Sequence, residues 1–131
     1  MADRKFRTGV VAIGRNEGER LKKCLGSIPS GMPLVYVDSA STDGSVDFAR
    51  SAGAEVVALD MRRPFSAARA RNEGFQVLHA THPDLAYVQF VDGDCEFEPG
   101  WLETAETFLD GEPAFAATCG RRRERFPEAS F

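Results

Sequence analysis

Short β-branched runs alternate with longer amphipathic stretches along almost the whole chain, and this alternation limits the available folds more than any other feature. TGVVAIG (Thr8 to Gly14), LVYVD (Leu34 to Asp38), AEVVAL (Ala54 to Leu59), AYVQFVD (Ala86 to Asp92) and FAATCG (Phe115 to Gly120) each read as a strand. Between the first two runs, Leu21, Cys24, Leu25 and Ile28 recur at i, i+3, i+4 and i+7, one face of a helix. Pro29, Gly31 and Pro33 end it. Ser41 or Thr42 is placed to cap a second helix carrying Val46 and Ala49 and closed by Gly53. A third helix is expected from about Phe65 to His79. Pro99 suits the first turn of a fourth, with Trp101 or Leu102, Ala105, Phe108 and Leu109 on its core face. Strands apolar on both faces and separated by helices predict a doubly wound, mostly parallel α/β sheet with helices on both faces.

At 131 residues the chain is one domain long, and 43% apolar with 27% charged residues is a globular balance. A net charge of −4 gives no reason to expect nucleic acid or an anionic membrane as partner. No apolar run approaches a membrane span, and the N-terminus (Asp3, Arg4, Lys5, Arg7) lacks the apolar core of a secretory signal. Cys24, Cys95 and Cys119 are odd in number and widely spaced. They read as reduced core thiols of a cytoplasmic protein, with Cys95 exposed to oxidation beside an acidic turn. His79 and His82 lack the further ligands of a zinc site, and neither a Walker loop nor GxGxxG is present.

In an open α/β sheet, ligands bind beyond the carboxyl ends of the strands. Those ends carry Gly14-Arg15-Asn16-Glu17, Asp38-Ser39-Ala40-Ser41 and Asp92-Gly93-Asp94. Two carboxylates flanking a glycine form a compact hard-oxygen site suited to Mg²⁺ or Mn²⁺ with phosphate oxygens. Gly93 is expected to let the backbone turn and a ligand approach closely. The bland reading of the same residues is an acidic surface turn. Asp38 precedes the expected N-cap by several residues, so helix capping does not account for it, and it is a candidate acceptor for a ring N–H of a bound base. Arg71 lies four before Phe75 and seven before Leu78, both expected core positions, so its guanidinium needs an anionic partner, structural or ligand. Arg69 is expected to be solvated. Arg121, Arg122, Arg123 and Arg125 read as a solvated tail or as phosphate contacts.

Four stretches in this order, VVAIGRNEGERLKKCLGSI, VYVDSASTDGS, SAARARNEG and YVQFVDGDCEFEPGWL, resemble the nucleotide-sugar-binding half of a family-2 glycosyltransferase of the GT-A fold, from about Thr8 to Arg123. The resemblance implies that Ile13 and Arg15 line a base pocket with Glu17 beside it, and that Asp38 accepts from a uracil-type ring. It implies that Arg71 sits near the nucleoside or diphosphate and that Asp92, with Gly93, contacts the ribose or the metal-bound cluster. Asp94 would ligate the Mn²⁺ or Mg²⁺ that bridges the diphosphate. The partners implied are a nucleotide-diphospho-sugar, favoured as a UDP-sugar, and an acceptor of unspecified class: saccharide, lipid or other. Two departures stand out. Arg15 replaces an aromatic found in many relatives, and the turn after the second strand lacks one carboxylate.

Family members of this kind carry the acceptor part and the catalytic base well beyond the Asp-x-Asp turn, and little chain follows Asp94. The expectation is therefore one domain, residues 1–131, truncated before the acceptor-binding part, serving inverting transfer with a base outside this chain. A non-catalytic nucleotide-binding or interaction domain is the alternative. An Asp-x-Asp phosphatase is disfavoured because Cys95 follows the second Asp and no lysine follows Lys23. A nucleotidyltransferase would need a Gly-rich basic first turn, which AIGRNEGERL does not supply. Monomer and homo-oligomer are equally compatible with the sequence.

Overall fold

The computed structural model describes residues 6–129. Four strands, β1 (Thr8–Gly14), β2 (Leu34–Asp38), β3 (Glu55–Ala58) and β4 (Tyr87–Asp92), form one sheet in the order β3-β2-β1-β4, every pair parallel. Helices α1 (Glu19–Gly26), α2 (Ser45–Ser51) and α3 (Ala67–Thr81) make the crossovers, and α4 (Trp101–Gly111) follows β4. The chain groups into two compact units, the first ending at Pro99 and the second beginning at Gly100. Among the described residues no helix is long and apolar enough to cross a membrane.

The period-2 geometry of a strand sorts the apolar residues onto two cores. Val10, Ala12, Leu34 and Tyr36 face α1 and α2, packing with Leu21, Cys24, Leu25 and Ala49. Val11, Ile13, Val35 and Val37 face α3, packing with Ala70 and Leu78. This is the expected doubly wound arrangement. Elements agree with the sequence pattern to within a residue or two for all four strands.

The expected strand at Phe115 to Gly120 does not form. Those residues run irregularly after α4, with the Phe115 ring against Phe108 at 5.5 Å. Two alanines in the run weaken its β preference, and a strand has no stability without a paired neighbour. The α2 cap also differs: the helix starts at Ser45 behind Gly44 (φ 83°), not behind Ser41 or Thr42. Helix α4 likewise opens on Gly100 (φ 83°), which leaves Pro99 just outside it, and none of its residues is buried.

Helix α3 lies unusually close to the sheet, because Gly74 faces it. A Cβ at Gly74 would fall 2.5 Å from Val11 Cγ1 and 2.8 Å from Val37 Cγ2. Gly74→Ala is therefore expected to destabilise the protein by about 1–3 kcal/mol, since α3 must move off a packed face. Thermal denaturation checks this as a fall of several degrees in Tm.

Candidate functional site

The parallel register brings the three polar exits together. Gly14 pairs with Asp38, and Ile13 with Asp92, so the carboxyl ends of β1, β2 and β4 lie side by side at one edge. The chain then continues from β3 to the far side of β1, so the gap between the β1 and β4 ends is the switch point at which open α/β sheets bind ligands.

Each exit is locked to its neighbour. Gly93 N–H donates to the Ile13 carbonyl (2.7 Å), and Ser39 N–H to the Gly14 carbonyl (3.0 Å). Asn16 ties the first turn to the second: its N–H donates to Ser41 Oγ (2.9 Å), and its Oδ1 accepts from Thr42 N–H (2.7 Å). Asp43 adds a second tie, accepting from Gly18 N–H (3.1 Å) and from the Ser45 N–H and hydroxyl. The Ser45 hydroxyl is the main reason its carboxyl sits below the usual range. Two non-glycine residues, Asn16 (φ 50°) and Ala40 (φ 61°), are held in the left-handed region within these turns. That conformation costs an L-residue about 1–2 kcal/mol, which the surrounding hydrogen bonds offset.

A cleft of about 370 Å³ opens at this edge, within the size range of small-molecule sites. Six of the residues singled out from sequence line it: Ile13, Arg15, Glu17, Arg71, Asp92 and Asp94. Arg71, reaching from α3, donates through Nη2 to Asp92 Oδ1 at 2.9 Å. Its anionic partner is thus present, but the reason is not the one expected. The core face of α3 is Ala70, Gly74 and Leu78, Phe75 is 39% exposed, and Arg71 lies beside that face rather than on it.

Asp38 and Gly93 do not line the cleft. Asp38 is buried, and its two oxygens accept from Tyr36 hydroxyl (2.9 Å) and Ser41 N–H (2.8 Å). Gly93 is also buried and needs no left-handed backbone. A Cβ there would meet the Ile13 carbonyl at 3.1 Å, so its smallness serves the approach of β4 to β1. Glu17 tucks its Cγ beneath both Gly14 and Gly93 and pairs with Arg20 at 3.1 Å.

Asp94 is exposed, and the Cys95 thiol lies against its Oδ1 at 3.4 Å. Only Cys24 is a core cysteine, since Cys95 and Cys119 are exposed. Burial pushes the Cys24 thiol up to about 12, helped by the negative groups Cys95, Asp94, Asp92 and Glu17 around it. Arg69, expected in solvent, instead folds inward and donates Nη2 to the Asp60 carbonyl at 2.7 Å. Among the described residues no group of three His, Cys, Asp or Glu side chains is arranged to hold a metal. Sequence reasoning missed Asn16 and Asp43, whose ties span 25 or more residues, and Met61 and Phe65, which line the cleft from the connection before α3.

A four-stranded parallel sheet with helices on both faces and a cleft at its switch point defines a doubly wound fold of the GT-A type. The chain belongs to glycosyl transferase family 2, whose family model matches residues 10–130. It is 29% identical over 107 residues to the glycosyltransferase AglE of Haloferax volcanii, an alignment covering 73% of this chain and 33% of that protein. The crystal structure of S. aureus TarS 1-349 superposes with a TM-score of 0.64 at 22% identity, over 82% of this chain and 33% of that one. The chain thus spans about one third of the length of either relative.

Two outcomes follow from the buried groups. Asp38→Ala leaves the buried Tyr36 hydroxyl without its acceptor and is expected to cost about 1–3 kcal/mol, read by urea denaturation. Burial also raises the Tyr36 hydroxyl, with Asp38 adding to the effect. Both Cys24 and Tyr36 thus keep their protons in the fold at pH values where the unfolded chain has released them. Stability is fully present below about pH 9 and falls as the pH rises toward 12. Urea midpoints from pH 7 to 11 should show this decline, shallower in Cys24→Ala.

Proposed function

We propose that this chain is the donor-binding part of an inverting glycosyltransferase and holds a nucleotide-diphospho-sugar, a UDP-sugar, with Mn²⁺ or Mg²⁺. The observation that carries this reading is the convergence in one cleft of Asp92, at the end of β4, and Asp94, in the turn after it, with Arg71 from α3 and Arg15 from the β1 exit.

The donor set fits such a cation. A hard divalent ion that arrives with phosphates needs only one or two carboxylates from the protein, which is what the cleft offers. Asp94, with Asp92 beside it, would hold the ion, and the bound ion would neutralise charge on the departing diphosphate. Arg71 orients Asp92 through their 2.9 Å pair and presents its remaining N–H groups toward phosphate oxygens. Ile13 packs against the nucleoside, with Arg15 and Glu17 bordering it. Asp38 retains acceptor capacity beyond its two present bonds, but it is buried off the cleft wall, so a uracil ring N–H would reach it only if the β2 exit moves to expose it. Gly93 keeps the β4 turn fixed on β1. An odd number of widely spaced cysteines suits a reducing compartment such as the cytoplasm.

Inverting transfer also needs a general base on the acceptor hydroxyl, typically worth about 10²–10⁴-fold. In this reading the base and the acceptor site belong to the further length that the relatives have.

A thermal-shift titration with UDP, GDP, TDP and ADP, each with and without Mn²⁺, tests the reading. Ligand at 100-fold over its Kd adds about 2.7 kcal/mol to the folded state. The expected result is a rise in Tm selective for UDP, dependent on Mn²⁺ and lost in Asp94→Ala. No shift with any nucleotide would overturn the donor reading.

A further inference from the structure

The cleft wall mixes charged and apolar side chains. Arg71, Asp92 and Asp94 are charged, whereas Met61, Phe65, Ile13 and Ala67 are apolar. Phe65 stands directly before Ser66, the N-cap of α3, whose hydroxyl accepts from Arg69 N–H at 3.0 Å. An apolar residue in that position commonly staples onto the residue five further along. Here that residue is Ala70, fully buried and small, and Phe65 remains 54% exposed. Local helix geometry therefore does not use most of its ring. Met61, 37% exposed on the same connection, adds a polarisable thioether to the cleft wall. Ala67 and Arg71 are one helical turn apart, about 6 Å along the axis, and Phe65 precedes Ala67 by two residues. A ligand reaching from Arg71, and from a cation that Asp92 and Asp94 would hold, to Phe65 would carry an anionic group, a spacer and a flat apolar face.

We infer that Phe65, backed by Met61, is the platform on which the nucleobase of the donor stacks, an inference that rests on the donor reading above. Arg15 and Ile13 border the base from the β1 side, and the ribose spans the distance to the diphosphate. Stacking uses the π-face that every base has, so Phe65 supplies affinity and not the choice of base. That choice falls to hydrogen-bonding groups, which Phe65 does not supply.

Calorimetric titration of the 131-residue chain with UDP, GDP and pyrophosphate, all with Mn²⁺, separates the possibilities. In Phe65→Ala, UDP and GDP are expected to bind about tenfold more weakly while pyrophosphate binds as in the unsubstituted chain. Phe65→Leu fills the same space without a π-face and should lose most of the same affinity, and Phe65→Tyr should retain it. Unchanged UDP binding in Phe65→Ala would overturn the platform while leaving the donor reading intact. A parallel loss of pyrophosphate binding would also overturn it, by making Phe65 a support for the charged groups. An unsubstituted chain that binds pyrophosphate but no nucleotide would overturn the platform, and one that binds neither would overturn both readings.

Discussion

Strand β1 is paired on both sides along nearly its whole length, and the geometry of the cleft follows from that. Val10, Val11 and Ala12 have no exposure, so their peptide groups have no access to water and must bond to β2 and β4. Because side chains alternate between faces, a slip of one residue would turn the α1 set toward α3 and the α3 set toward α1. The two cores differ too much to tolerate that, since one accommodates Tyr36 and the other the close approach of Gly74. Core packing thereby fixes where Gly14, Asp38 and Asp92 emerge. The site residues take their positions from burial at a distance rather than from contacts among themselves.

Polar interactions at the edge do a different task. The Arg71–Asp92 pair joins groups that are 39% and 53% exposed, and ion pairs of that exposure contribute little to stability. Its consequence is orientation, with one carboxylate oxygen and one guanidinium held at a known place in the cleft. The ties from Asn16 and Asp43 act similarly on backbone. They hold a left-handed Asn16 and a left-handed Gly18 against the β2 exit, so the loop carrying Arg15 and Glu17 enters the site in one conformation.

The fold was legible because its signal is periodic and repeated. Four β-branched runs and three amphipathic stretches each had one stable arrangement, and the polar strand ends then fell at one edge. The run at Phe115 to Gly120 misled because an apolar composition says nothing about whether a pairing strand is available. Arg71 was singled out on a faulty premise: Phe75 suggested a core face, whereas the face is defined by Gly74, a residue that hydropathy hardly registers. Among the cysteines, only Cys24 lies on a helix face that repeats with other apolar residues, and only Cys24 is buried. Asp43, Asn16 and Phe65 escaped notice because their roles depend on residues distant in sequence or on a cavity wall that no local pattern encodes.

A donor cleft of this kind has a definite limit on what it can do alone. Interactions equally strong in the ground state and the transition state tighten binding without accelerating the chemical step. On the donor reading, a base platform at Phe65 would grip the nucleoside, which does not change as the sugar leaves, so it belongs to that uniform class. Arg71 differs, as would a cation held by Asp92 and Asp94, because negative charge on the diphosphate would grow as the bond to the sugar breaks, and positive groups placed there gain interaction in the transition state. On the same reading, Phe65 therefore sets affinity, and Arg71 with a cation held by Asp92 and Asp94 would prepare the leaving group. The remaining barrier lies in activating the acceptor hydroxyl, for which a positioned general base is required.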